Sequence, residues 1–356
     1  MSFRNLCSIA LLAFSLNSYA SENNVEINFS IDSYNFSEAK YISDYIGEFS
    51  GIIKNGHNAA SFNKLTFDIH YENFNIGVFK RLDHHHHFSS DTIKLQHDIK
   101  NNITADLPKT YSLSLAMEHF EASGIKLGYR INVLKNISLR LTGNYFLGAN
   151  FHSGELTGIA EWDLNQDINI IAPTNIYSAR NELLAFPKLE PNGEGYSVDL
   201  ELNWQASDYL NIQLQANDAA SQINWNNALL NKINRWRVYQ LDSTGGLDTT
   251  PMLEGRIMDF QQKLTKNYKG TINFSKGNDY EYFSRLFKNR FFSHLQIGLL
   301  KHLNNNNSLI IAWHKNLKAY EIAIKTPYLK FGLVTDSISI KKSHVFNLNF
   351  GLSLPI

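Results

Sequence analysis

The chain has 356 residues, 33 Lys and Arg against 33 Asp and Glu, 43% hydrophobic and 13% aromatic residues, and a mean hydropathy of −0.28. So even a charge balance excludes the basic field that nucleic-acid binding requires. A negative mean hydropathy speaks against a bundle of membrane helices, whereas 23 Phe and 17 Tyr suit a wall whose apolar residues alternate with polar ones and whose interfaces carry aromatic girdles.

Residues 1–20 read as a secretory signal: Arg4, an apolar run from Leu6 to Leu16, then Asn17-Ser18-Tyr19-Ala20 with small residues at the cleavage positions. Removal at about Ala20 takes Cys7 with it, so the mature chain has no thiol chemistry and a formal charge of −1 (32 basic residues against 33 acidic). No later run reaches the roughly 18 apolar residues of a spanning helix.

Residues 21–64 are expected to form an N-terminal segment. Val25, Ile27, Phe29 and Ile31 alternate as in a strand; Phe36, Ala39, Ile42, Tyr45, Ile46, Phe49, Ile52 and Ile53 then recur at three or four, with Ser37 as N-cap and Gly56 past the end. This spacing predicts an amphipathic helix over 37–54, as a plug of a lumen or a cover at the periplasmic mouth, followed by a linker over 57–64.

From 65 to 356 the period is two. Strands are expected at Leu65–Tyr71, Phe74–Val78 and, after a His-rich turn, Ile93–Ile99; these three are less regular than the later ones. From Tyr111 onward fourteen segments alternate: 111–117, 125–133, 137–147, 154–162, 166–172, 196–204, 210–217, 256–264, 268–276, 291–300, 307–315, 318–326, 328–337 and 345–355. Only Lys135-Asn136 separates the second from the third, a tight hairpin. In the last, Phe346, Leu348, Phe350, Leu352, Leu354 and Ile356 share one face, and Asn347, Asn349, Gly351 and Ser353 the other. Its eleven residues match the 9 to 11 that a tilted strand needs to cross a membrane.

The fold class expected is therefore all-β, a transmembrane antiparallel up-and-down barrel of about fourteen strands (range 12–18) with an N-terminal amphipathic helix. If Lys135-Asn136 is periplasmic, parity puts 163–165, 205–209, 265–267 and 301–306 at the same end, and 173–195, 218–255 and 277–290 outside. Tyr177–Ala185 is helix-compatible within its loop, and Gly245-Gly246 with Pro251 marks a turn-rich one.

A signal, ten-residue amphipathic strands, this parity and a C-terminal amphipathic strand resemble Gram-negative outer-membrane β-barrel proteins over nearly the whole mature chain. The chain departs from that class in ending Leu354-Pro355-Ile356 rather than in an aromatic residue. The resemblance implies an outer-membrane location, with outer-membrane lipid and the barrel-assembly machinery as partners, and leaves the oligomeric state open. It makes a passive channel or transporter for small or apolar solutes the expected function, with a non-transporting structural or envelope-assembly barrel as the alternative.

No motif marks an enzyme: Gly-rich phosphate loops, HExxH and GxSxG are missing, and His70, His119, His152, His294, His302 and His314 stand in no local nucleophile motif. A rim hydrolase is the remoter alternative, and no cofactor is expected. His84, His85, His86 and His87 are candidate metal ligands by chemistry, but a linear run does not converge three or four donors, so a solvated hairpin tip or a lumen-facing pair is the plainer reading. Alternation turns Glu118, Lys126, Arg130, Arg140, Asp199, Glu201, Glu321, Lys325 and Lys330 into the lumen. Their mixed sign suits cross-strand bracing better than an ion-selective ring, and a weakly selective polar pore is the other reading. Phe146, Ile159, Phe292 and Leu300 are the inward or off-pattern apolar residues.

Overall fold

A computed structural model describes residues 25–46, 52–101, 103, 108–163, 167–179, 192–233, 236–239, 248–249, 253–277, 279–304 and 306–356. The signal, most of the Tyr177–Ala185 stretch and the Gly245-Gly246 turn lie outside the described residues.

The described strands are β1 (Val25–Ser37), β2 (Asn58–Tyr71), β3 (Phe74–Phe88), β4 (Lys109–Leu134), β5 (Ile137–Trp162), β6 (Ile168–Ile171), β7 (Thr174–Ser178), β8 (Asn192–Ser207), β9 (Leu210–Ile233) and β10 (Trp236–Tyr239). They continue with β11 (Asp248–Thr249), β12 (Leu253–Gln262), β13 (Asn267–Lys276), β14 (Tyr280–Lys288), β15 (Ser293–His302), β16 (Ser308–His314), β17 (Ala319–Lys325), β18 (Leu329–Thr335) and β19 (Val345–Pro355). All pair antiparallel in one sheet, which closes because β1 bonds to β2 on one edge and to β19 on the other, from Glu26↔Pro355 to Phe36↔Val345. Closure leaves no open edge, as a wall in lipid requires.

Fourteen strands make the barrel: β1 to β5, β8, β9 and β13 to β19. The other five ride above it, with β7 between β5 and β9, β12 on the upper half of β9, and β10 bridging β6 and β11. The termini meet at one end, where the Ile356 amide donates to the Val25 carbonyl at 2.9 Å. That end also holds the short turns at 72–73, 135–136, 208–209, 277–279, 303–307 and 326–328, which marks it as periplasmic.

The number fourteen agrees with expectation, but its membership does not. The segments 111–117 and 125–133 are one strand, β4, and 137–147 and 154–162 are one strand, β5, each 26 residues long. Segments 166–172 and 256–264 belong to the upper structure, so the connections at 163–167 and 263–266 lie at the extracellular end. The range 277–290 is mostly β14 behind a tight periplasmic turn.

The separate N-terminal segment is corrected too. β1 and the start of β2 are wall strands, because their backbones complete the ladders on either side of Phe29. Of the helix expected over 37–54, the described part is a five-residue turn, α1 (Ile42–Ile46); Ser37 ends β1, and residues 52–54 are irregular. Residues 47–51 lie outside the described set. Ile93, Leu95 and Ile99 are on helix α2 (Ser90–Lys100), not a strand: the Ser89 hydroxyl accepts from the Thr92 amide at 3.2 Å as N-cap. Leu95 then packs with Tyr111, Leu113 and Trp162, and Ile93 with Phe88 and Ala59.

Outward positions form a continuous apolar belt, including Ile76, Leu127, Leu141, Leu200, Ile272, Leu286, Ile297, Ile322 and Phe331, all more than a third exposed in the isolated chain. Residues between them face inward, polar or small over much of the wall and aromatic in the upper lumen. Among the described residues no helix is long and apolar enough to cross a membrane; the strands do so instead.

Candidate functional site: the barrel lumen

The upper lumen is aromatic. On the side of the long strands, Phe79, Phe120, Phe146, Phe151 and Trp225 are buried together, with Tyr177 and Phe260 against them. Trp225 lies flat over two inward glycines in register with it: a Cβ on Gly148 or Gly193 would meet its ring at 2.5 Å. Its Nε1 donates to Gln262 Oε1 at 2.9 Å, and Phe151 stacks on it at 4.3 Å between centroids. On the other side Tyr34, Phe36, Phe62, Phe287 and Phe292 cluster with His294, whose Nδ1 is 3.2 Å from the Tyr34 hydroxyl. Two of the off-pattern residues, Phe146 and Phe292, thus belong to these clusters, while Ile159 is exposed.

Level with the lower aromatics runs a charged waist, with Asp83 in register with Phe62 and Phe120. Arg81 donates through Nη1 and Nη2 to Asp218 at 3.0 and 2.7 Å and through Nε to Asp83 at 2.7 Å. β4, β5 and β8 intervene along the wall, so the Arg81–Asp218 pair crosses the interior. A bulge puts Asp218 there. The β8–β9 register jumps from Val198↔Ala220 to Leu200↔Ala216, and Asp218 takes a left-handed φ of 54°, which Asp tolerates better than most residues. Its amide is held by Asp199 Oδ1 at 2.8 Å. Lys126 pairs with Asp68 at 2.7 Å across β3, over Gly77. A Cβ on Gly77 would stand 1.9 Å from Asp68 Oδ1, so the missing side chain is what lets the two charges meet.

The other inward candidates are spread around this waist. Glu118 accepts from Thr265 at 2.7 Å and pairs with Arg290 across the lumen. Asp199 also accepts from Asn144 at 2.9 Å, and Glu201 accepts from Asn203 and Gln213 and faces Arg140 at 3.7 Å. Arg130 and Arg140 line a lower cavity of about 290 Å³ with Glu26 and His70. Glu321 bonds to Gln296 and lies 3.4 Å from His314 Nε2, and Arg285 donates to Gln296 at 2.8 Å, giving a chain that runs along β14 to β17. Lys325 and Lys330 are directly opposite on β17 and β18 and stay exposed near the periplasmic mouth.

The histidine run is not a hairpin tip. It is the upper part of β3, laddered to β2 and β4, and alternation splits it. His85 is buried in the lumen against Phe62 and Phe291, and His87 bonds to Asn58 at 2.8 Å. His84 and His86 take the outer face, where His84 Nδ1 is 2.9 Å from His119 Nδ1 and the His119 ring is 5.7 Å from that of His152. Among the described residues no group of three or more His, Cys, Asp or Glu side chains is arranged to hold a metal ion. His302 contacts the Ser308 hydroxyl at 3.2 Å across a hairpin.

Sequence reasoning alone does not single out Arg81, Asp83, Asp218 or Tyr34. Phe79, Arg81, Asp83 and His85 do alternate, but the tetrahistidine ending conceals the strand.

No family model matches the chain, and no curated protein matches it. In fold it is similar to solved structures titled as a TodX deltaS2S3 mutant monoaromatic hydrocarbon channel (8% identity, 94% of this chain and 90% of that one, TM-score 0.49) and as the P. putida toluene transporter TodX (8%, 94% and 89%, TM-score 0.43). A Pseudomonas aeruginosa FadL homologue is similar at 9% identity over 93% and 87%, TM-score 0.35. At such scores the likeness carries no functional weight, and the barrel's own geometry decides. A closed antiparallel wall of fourteen strands, an outward apolar belt and short turns at the end that holds both termini make this chain an outer-membrane β-barrel.

Proposed function

We propose that the barrel is a channel for small apolar solutes, taken up in the aromatic upper lumen and passed through the charged waist. The observation that carries this is the juxtaposition of aromatics and charge: the Arg81–Asp218 pair crosses the interior between two aromatic clusters, with Phe79 two residues from Arg81 on β3 and Phe62 and Phe120 in register with Asp83. Apolar rings in the upper lumen favour apolar ring-shaped solutes over sugars or ions. The cross-lumen pair restricts their onward passage.

A non-transporting scaffold is the second reading, favoured by the same bond, since a waist held shut needs no solute. Uptake into proteoliposomes separates the two. The channel reading expects uptake of toluene or a similar probe by the intact protein in excess of a sugar of equal size, and faster uptake after Asp218→Ala. If neither the intact protein nor a folded Asp218→Ala variant admits either solute, the scaffold reading stands.

A further inference from the structure

At the extracellular ends of β13 and β14 the rim holds a cavity of about 390 Å³ lined by Lys263, Leu264, Thr265, Lys266, Tyr268, Lys288, Asn289 and Arg290, with Tyr268 and Lys288 on the outer face and Leu264, Thr265 and Arg290 reaching the lumen. Four of these eight residues are cationic and none is acidic. Tyr268 and Lys288 are direct neighbours across the β13–β14 ladder, both on the outer face. On that face the belt residues Ile272 and Leu286 lie just below them, each about half exposed. The cavity therefore sits at the level where the lipid chains end and the outer-leaflet headgroups begin. Of the four cations, Arg290 is committed to Glu118 across the lumen. Lys263, Lys266 and Lys288 have no ion pair among the described residues, and each is exposed.

From this placement we infer that the cavity binds the phosphate groups of an outer-leaflet lipid, the phosphorylated lipopolysaccharide of a Gram-negative outer membrane. An aromatic at interface depth with lysines immediately above it fits an amphiphile whose chains continue down the belt and whose charge lies at the head. Basic pockets at the membrane surface recognise anionic headgroups in this way. The lower cavity of about 290 Å³, at the periplasmic end, makes a contrast: Glu26 and Glu72 stand among its cations, and it offers no such one-sign field.

The test uses the mature full-length protein refolded in detergent micelles and native mass spectrometry with purified lipopolysaccharide. Each near-surface lysine is worth about fivefold in affinity for an anionic lipid, so Lys263→Ser/Lys266→Ser/Lys288→Ser should weaken retention by about a hundredfold. The triple Arg variant should retain it, Lys135→Ser at the periplasmic hairpin should change nothing, and enzymatically dephosphorylated lipopolysaccharide should bind the parent no better than it binds the triple Ser variant. Undiminished binding by a folded triple Ser variant overturns the site. Displacement of the lipid by micromolar inorganic phosphate also overturns it, in favour of a free-phosphate site.

Discussion

The barrel has a tall wall and a low wall, and they are built differently. β4 and β5 run for 26 residues each and β9 for 24, whereas β16, β17 and β18 have seven apiece. At about 3.4 Å per residue the long strands have a contour of roughly 85 Å, far more than a hydrocarbon core of about 30 Å demands even with tilt. The seven-residue strands have a contour of roughly 24 Å, a little short of it. All the described register shifts fall on the tall side, at Glu121/Ala122 and Asn132/Leu134 between β4 and β5, at Val198/Leu200 and Gln205/Ser207 between β8 and β9, and near Met258. The ladders from β14 to β19 have none. The low wall is thus a plain lipid-facing stave set, braced sideways by Arg285, Gln296, Glu321 and His314. The tall wall rises past the membrane, and its bulges bend side chains into the lumen, where the aromatic cluster and the Arg81–Asp218 pair form.

The contrast is broken most severely by removing Asp218. Its carboxylate is fully buried and faces an Arg81 side chain only 12% exposed, so Asp218→Ala leaves a buried guanidinium half-partnered. A loss of about 3–5 kcal/mol is expected, read from denaturant unfolding in vesicles. Glu321→Gln on the low wall keeps its shape and neighbours and should cost only about 1 kcal/mol. Equal losses would mean that the two walls do not differ in how their charges are held.

A substitution on the lipid face comes next. Leu127→Arg in the belt should cost about 2–4 kcal/mol, while Leu200→Arg, on the same face of β8, should behave alike and Glu201→Leu, facing inward, should cost less. Higher on the same outer face of β4, above the lipid, His119→Arg should cost less than about 1 kcal/mol. A heavy cost at His119 would place the membrane higher on the tall wall than the belt indicates.

How far these features are legible depends on whether a strand keeps one face apolar. β19, β8 and β15 do, and read directly. β14 does not: Tyr282 and Leu286 face out while Phe283 and Phe287 face the lumen, so apolar residues stand on both faces and no period emerges. β4 and β5 each read as two strands because alternation weakens where the strand leaves the membrane and meets Ser, Gly and Asn, as at Ala122-Ser123-Gly124 and Gly148-Ala149-Asn150. β1, β2, β3 and β14 fall outside the fourteen regular segments, and two split strands and two upper strands stand in their place, so periodicity reaches fourteen with the wrong staves. The inward charges on β4, β5, β8, β17 and β18 follow from period two alone. The Arg81–Asp218 pair does not, because a bulge aims Asp218, and no local period encodes a contact 137 residues apart.

Filling Gly77 sharpens the account of the tall wall at smaller cost. A valine Cβ there meets Asp68 Oδ1 at 1.9 Å and the Phe67 carbonyl at 2.6 Å, so Gly77→Val should push Asp68 away from Lys126 and cost about 1–3 kcal/mol. Gly143 on β5 is the control, since its nearest neighbour would be 3.9 Å away and Gly143→Val should be nearly neutral. Similar costs at both positions would show that the glycine between Asp68 and Lys126 is not needed for their approach.

The smallest effect is confined to the low rim. There β18 and β19 are joined by a loop whose Asp336 binds the amides of His344 and Val345 through Oδ1 at 2.9 and 3.0 Å, the Ser343 hydroxyl at 2.8 Å and the His344 ring at 3.1 Å through Oδ2. Burial pushes this carboxyl up, but the four donors together outweigh it and hold it down from 3.8 to about 2. A depressed carboxyl contributes stability that is complete above its unfolded value and is lost as the pH falls from about 3.8 through about 2. The protection factors of the amides over 336–344, taken against the intrinsic rate at each pH, should therefore be high at about pH 5 and fall near pH 2, while the ladders of β16 to β19 remain protected. In Asp336→Asn the loop should exchange fast already at about pH 5 and lose its dependence on acid. If the variant's loop keeps the parent's protection there, the carboxylate is not what orders this rim, and the regular low wall needs no such clasp to end where the membrane does.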